Sequence, residues 1–273
     1  MSPSAPDLRA RKRRRGAAPI VMITAYDEPA ARCVDAAGVD AILVGDSLAN
    51  VVLGHADTLH VSVEEMAHHV RAVAAARPQA HLVADMPWLS YHLGVVDAVR
   101  NAAILVRAGA QAVKLEGGRE RVAVIGALID AEIPVMGHVG LTPQSMLAFG
   151  GFKVQARTRE AVDRLIEDAI AVQDAGAYAI VVEGVPGVVG AAVTEALEIP
   201  TIGIGAGPDT DGQVLVFHDL LGLSGRPTAK FVRTYADLGS AITEAVTHYR
   251  DDVREGRFPG PAETYATPAG LSE

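Results

Sequence analysis

Short runs rich in valine and isoleucine recur along the chain, separated by longer stretches in which apolar residues return every three or four positions. Eight runs stand out: Ile20–Ala25, Ala41–Gly45, His81–Ala84, Ala112–Leu115, Pro134–Gly137, Ala179–Val182, Thr201–Ile204 and Val214–Phe217. Near-continuous apolar runs of this length mark parallel strands covered on both faces. Val63–Ala76, Val95–Ala108, Arg119–Ala131 and Arg159–Ala175 carry the helical period. Ala37-Gly38, Ala108-Gly109 and Ala175-Gly176 supply helix stops, because glycine adopts the left-handed conformation past a last turn at little cost. Strand and helix alternating eight times predict an α/β fold, a single-domain (β/α)8 TIM barrel. The connection Gly205–Gln213 is too short for a full helix, so an irregular seventh-to-eighth crossover is expected. The expected boundaries are a basic N-terminal extension over 1–19, the barrel over 20–257 and a loose proline- and glycine-bearing tail over 258–273.

The chain has 273 residues, with 24 Lys+Arg against 33 Asp+Glu and a formal charge of −9. That balance argues against broad nucleic-acid binding, which needs a basic face. The single cysteine, Cys33, excludes an internal disulfide or a zinc ribbon and fits a reducing compartment, the cytoplasm. No membrane span is expected: the longest uncharged stretch, Ile133–Phe152, is interrupted by Pro, Gly, His, Gln, Thr and Ser. Arg9, Arg11, Lys12, Arg13, Arg14 and Arg15 form a basic run, and Ile20–Ile23 is too short for the apolar core of a signal peptide. The run reads as a solvated face.

The ends of the apolar runs carry the chemistry. They read Gly45-Asp46-Ser47, Asp85, Lys114 with Glu116, His138, and Glu183. In a parallel barrel the C-terminal strand ends open on one rim, where active sites sit. Each residue has an ordinary explanation alone: a helix-capping aspartate, a snorkelling lysine, a satisfied core histidine. Five strands ending in ionisable groups point instead to one shared site. Lys114 and Glu116, two apart on a strand, share a face. Asp46, Asp85 and Glu116 bring three carboxylates against one nearby cation, Lys114, and buried carboxylates are costly unless paired or metal-bound. An oxygen donor set of this kind favours Mg2+ over zinc. Ser47 has no base partner that would make it a nucleophile. Gly203-Ile204-Gly205-Ala206-Gly207 lacks dinucleotide-binding spacing and reads as a close backbone approach. His68-His69 reads as a solvated helix face.

Several segments together resemble one family. They are Ile23-Thr24-Ala25-Tyr26-Asp27, Val44-Gly45-Asp46-Ser47, Ala84-Asp85-Met86-Pro87, Val113-Lys114-Leu115-Glu116-Gly117-Gly118, the block Gly137–Ser145, Gly150–Gln155, Val182-Glu183-Gly184-Val185-Pro186, Ile202–Gly207 and Asp211–Val216. In this order they are similar to ketopantoate hydroxymethyltransferase, an early enzyme of pantothenate biosynthesis, from about Leu8 to about Tyr265. The resemblance implies a Mg2+-binding (β/α)8 barrel that transfers a hydroxymethyl group from 5,10-methylenetetrahydrofolate to 3-methyl-2-oxobutanoate. It implies Asp46 and Asp85 as metal ligands with Glu116 joining through water. It further implies Asp46, Ser47, Asp85 and Lys114 on the keto acid, His138 beside it, Glu183 as the proton acceptor, and a cytosolic homodecamer.

Some positions depart from the family pattern. Trp88-Leu89 stands where Phe-Gly is common, Glu28-Pro29 follows Tyr26-Asp27 where Tyr or an aliphatic residue is usual, and Gln155-Ala156-Arg157 replaces Gln-Gly-Arg. None removes an expected catalytic group, but Trp88-Leu89 bears on the width of the substrate pocket. Two alternatives are a related Mg2+-dependent 2-oxo acid lyase or mutase, and a barrel kept only for binding. The lyases' loop cysteine has no counterpart, since Cys33 falls in the first barrel helix.

Overall fold

Eight parallel strands pair in sequence order and the last closes on the first: β1 Ile20–Thr24, β2 Ala41–Val44, β3 His81–Asp85, β4 Ala112–Glu116, β5 Val135–Gly140, β6 Ala179–Glu183, β7 Thr201–Ile204 and β8 Gly212–Leu215. The computed structural model describes residues 2–12, 16–151, 154–225, 229–268 and 270. The helices are α1 Ala5–Arg9, α2 Glu28–Ala36, α3 Leu48–Val51, α4 Val63–Ala75, α5 Val95–Arg107, α6 Val122–Asp130, α7 Met146–Phe149, α8 Arg159–Asp174, α9 Gly187–Ala196, α10 Phe217–Leu220 and α11 Leu238–Arg254. The expected (β/α)8 barrel is therefore present, with an irregular link between β7 and β8. No described helix is long and apolar enough to cross a membrane.

Alternation along each strand divides the apolar residues between two cores. Ile20, Met22, Leu43, Val83, Ala112, Met136, Val181, Ile202 and Val214 pack together as one buried cluster inside the barrel. Their neighbours, among them Ile42, Val44, Leu82, Val113, Leu115, Ile180 and Val182, join the larger cluster with the helices. On α8 the buried positions Leu165, Ala169 and Val172 follow the helical period. Gly137 sits beneath this helix, and a Cβ there would lie 2.4 Å from Val172 Cγ1. Ser62 and Glu65 close a capping box at the start of α4, and Thr158 caps α8. The three expected helix-stop glycines, Gly38, Gly109 and Gly176, have φ of 76°, 122° and 107°.

Four local readings change. The eighth strand begins two residues early, at Gly212, and Phe217 already belongs to α10. Gly212 has little strand signal, yet a Cβ on it would meet Ile20 O at 2.4 Å, so only a bare backbone fits between β1 and β7. The stretch Arg119–Ala131 opens as a 3-10 turn, with Arg121 N–H bonded to Gly118 O, before α6 starts. The basic run is not simply a solvated face. Lys12 is 1% exposed and Arg11 pairs with Asp40, while Arg13, Arg14 and Arg15 lie outside the described residues. Lys12 Nζ donates to Thr194 O (2.7 Å), Ile199 O (3.1 Å) and Asp211 Oδ2 (2.8 Å). Leu8, 1% exposed, adds to the interior cluster. His69 also leaves the solvated category: its Nδ1 is 2.7 Å from Tyr26 O.

The chain separates into two compact units, residues 1–217 with 229–232, and residues 218–228 with 233–273. The first contains the whole barrel. In the second, Asp237 caps α11 through Ser240 N–H, and the rings of Tyr249 and Phe258 meet edge to face at 5.3 Å.

Candidate active site

The parallel register sets the ionisable residues side by side. Asp85 on β3 is level with Lys114 on β4, and Glu116 on β4 is level with His138 on β5. Neighbours in register point to the same face, so the residues meet inside the rim. Lys114 Nζ lies 2.6 Å from Asp85 Oδ1 and 3.2 Å from His138 Nδ1. His138 Nδ1 is 3.3 Å from Glu116 Oε1, and its Nε2 is 3.1 Å from Glu183 Oε2 on β6. Asp46 N–H donates to Asp85 Oδ2 at 3.0 Å. Asp46, Asp85, Lys114, Glu116 and His138 are all buried, and Glu183 has 15% of its side chain exposed.

All seven residues expected at the site line one cavity of about 130 Å³: Asp46, Ser47, Asp85, Lys114, Glu116, His138 and Glu183. Leu43, Val181, Ile204 and Val214 give it apolar walls. Ser47 Oγ lies 2.8 Å from Tyr26 Oη. The helix-cap explanation of the aspartates fails, because the Asp46 carboxylate accepts from the Gln144 side chain rather than from a helix N–H. Trp88 and Leu89 are 39% and 42% exposed, and neither lines the cavity.

Three contributors carried no separate signal in the sequence. Gln144 Nε2 donates to Asp46 Oδ2 (2.8 Å) and Met86 O (3.0 Å), and its backbone N–H donates to Glu116 Oε2 (3.0 Å). Tyr91 Oη donates to Gln144 Oε1 (2.6 Å) and accepts from Glu116 N–H (3.2 Å). Thr58 is 3% exposed and lines the cavity, and its Oγ1 has no hydrogen-bond partner among the described residues. Gln144 stood inside the Gly137–Ser145 block, the one available hint.

The electrostatics follow from burial and crowding. Burial, then the charges of Asp85 and Glu116, pushes the Asp46 carboxyl well above the usual carboxylate range. Burial also raises Asp85, against the pull of Lys114. Burial works to raise Glu116 too, but the charge and hydrogen bond of His138, with Lys114, hold it below its ordinary value. Burial would depress Lys114, yet Asp85, Glu116 and Asp46 outweigh it and raise the ammonium. His138 is pushed up to about 9: burial and Lys114 oppose its charge, and Glu116 with Glu183 more than compensate. The charged imidazole is thereby favoured, with Nδ1 and Nε2 within ion-pairing distance of Glu116 and Glu183.

The donor set fits a hard divalent cation. Asp85 Oδ1 is buried with the Lys114 ammonium beside it but no aligned hydrogen bond, and the rise of Asp46 registers uncompensated negative charge. Among the described residues, no three carboxylate or imidazole groups form a ready cage. Mg2+ does not need one, since it commonly takes one or two carboxylates and keeps several waters. Asp46 and Asp85 are the residues able to hold it.

The solved structures similar to this chain share its architecture. Phosphonopyruvate hydrolase matches with a TM-score of 0.64 at 15% identity, covering 98% of this chain and 92% of its own. A 2,3-dimethylmalate lyase of the PEP mutase/isocitrate lyase superfamily matches at 0.60 and 21% identity, covering 98% and 93%. These identities speak for the fold alone. Sequence relatives are nearer. The 3-methyl-2-oxobutanoate hydroxymethyltransferase of Methylobacterium sp. (strain 4-46) is 58% identical over 92% of this chain and 88% of its own length. Those of Koribacter versatilis and Pyrobaculum islandicum are each 55% identical, over 92% and 90% of this chain and 85% and 94% of their own. The model of ketopantoate hydroxymethyltransferase matches residues 4–261. With the whole barrel inside the matched residues and the strand-end ions gathered on one cavity, the chain belongs to the ketopantoate hydroxymethyltransferase family.

Proposed function

We infer that the chain transfers a hydroxymethyl group to 3-methyl-2-oxobutanoate, giving 2-dehydropantoate for pantothenate synthesis, with 5,10-methylenetetrahydrofolate as donor. One observation carries the reading: the Glu183 carboxylate, beside His138, borders the same small cavity as Lys114, Asp46 and Asp85. The substrate must lose the proton on the carbon beside its ketone. Glu183 takes that proton, and His138 Nε2 lies 3.1 Å from its carboxylate. Lys114 supplies positive charge to the keto acid's oxygens as negative charge moves onto them, an effect strongest in a water-poor site. Ser47 and Thr58 offer hydroxyls to the same ligand.

Asp46 and Asp85 would hold a Mg2+ directly and Glu116 through water. Bound there, the ion supplies Lewis-acid stabilisation of the charge that develops on the ketone oxygen. Gln144 and Tyr91 keep Asp46 and Glu116 in place. The deprotonated carbon then bonds to the donor's one-carbon unit, the carbon–nitrogen bonds to the folate break, and a water supplies the hydroxyl oxygen as tetrahydrofolate leaves. The assembly proposed is a cytoplasmic homodecamer, whose mass in sedimentation would be ten times the chain's 28.5 kDa.

Glu183→Gln tests the central assignment. Turnover should fall by about 10²–10⁴, while keto-acid affinity in calorimetry stays near that of the parent. Near-normal turnover in this variant would remove Glu183 from its role.

A further inference from the structure

Glu183 borders a second and larger cavity. It measures about 560 Å³ and is lined by Leu141, Val154, Val185, Phe231 and Lys230, with glycine backbone. Among its described lining residues, Glu183 and Lys230 are the two that carry charge. Phe231 lies directly on the backbone of Gly205, where a Cβ would come within 2.6 Å of its ring, yet it remains 40% exposed. An aromatic ring pressed onto a backbone floor and still open on its other side is a platform for a flat ligand.

The two cavities differ in what they can hold. A space of about 130 Å³ suits a small acid, whereas about 560 Å³ falls within the roughly 300–1,000 Å³ of sites for ligands of drug size. A hydroxymethyl transfer has one small and one large reactant, and they must meet at the carbon that Glu183 deprotonates. We propose that the larger cavity is the seat of the one-carbon donor, a flat bicyclic heterocycle lying against Phe231 with its anionic tail toward Lys230, so that its one-carbon group arrives beside Glu183. This rests on the hydroxymethyl-transfer reading and adds the residues that recognise the donor. The charges agree: an apolar chamber with a lysine at its margin suits an aromatic body and a carboxylate tail.

The two half-sites can be assayed apart. Exchange of the keto acid's C3 hydrogen in D2O, followed by NMR without donor, reports the small cavity alone. Phe231→Ala should raise the KM for 5,10-methylenetetrahydrofolate on the order of tenfold, leaving C3 exchange and the KM for the keto acid unchanged. Lys230→Ala should reduce by about threefold any advantage of the glutamylated donor over a methylene-tetrahydropterin lacking the tail. Phe231 and Lys230 are exposed, so both proteins are expected to fold as the parent does. Donor KM values unchanged in both variants would overturn the proposal. Absence of C3 exchange and of turnover in the parent would instead defeat the underlying reading.

Discussion

Lys12 offers a sharp test of how the barrel is closed. Its ammonium is buried with all three hydrogens directed to acceptors: two backbone carbonyls, Thr194 O and Ile199 O, and the Asp211 carboxylate. Thr194 lies in the last turn of α9, where carbonyls lack helical partners and a cation is favoured. Asp211 Oδ2 in turn accepts from Thr201 N–H (2.8 Å) and Thr201 Oγ1 (3.1 Å). Lys12→Met keeps the length of the stem but strands the carboxylate in the interior. Removing one partner of a buried pair costs about 3–5 kcal/mol. For a chain of this size that is a fall in Tm of about 6–20 °C, at about 2–4 °C per kcal/mol. Urea denaturation followed by circular dichroism would read the loss. Asp211→Asn should cost a similar amount, and the double variant should be far less damaged than the sum of the singles. Lys12→Met within about 1 kcal/mol of the parent, or strict additivity of the two, would refute this account.

Other consequences can be measured alongside. Asp85→Asn should weaken Mg2+ and keto-acid binding together, each by at least about tenfold; isothermal titrations unchanged for both would exclude shared ligation. His81 is buried against Pro3 O and Tyr178 Oη, and burial holds its pKa below the ordinary value. The unfolded chain therefore binds more protons once pH drops below about 6.5, so stability should fall as pH falls from there toward the lower folded value. His81→Gln should flatten that part of the stability profile, and an unaltered slope would contradict the assignment. Ala156 holds a φ of 52°, where the family pattern expects glycine. Ala156→Gly should gain up to about 1 kcal/mol by relieving left-handed strain, and a lower melting temperature would count against strain at this position.

Most of the barrel was legible because strand and helix periods are local. The runs ending at Asp46, Asp85, Glu116 and Glu183 announced both buried strands and a polar rim, as did His138 within the fifth strand. Boundaries slipped where a residue's partner is remote, as at Gly212, whose place beside Ile20 joins opposite ends of the barrel. Gln144 was visible as part of a block, but not as the link between Tyr91 and Asp46, 53 and 98 residues away. Trp88, a possible intruder on the pocket in sequence, lies outside its lining.

The sequence by itself determined the alternation, the helix stops and the set of ionisable groups delivered to strand ends, because these depend on period and neighbour. Closure of the barrel decided the rest. It set Asp85 beside Lys114 and Glu116 beside His138, drew Lys12 out of a basic run into the interior, and put Glu183 on the border of two cavities. Ion pairing and cavity shape depend on register between strands far apart in the chain, and that register exists only once eight strands have met.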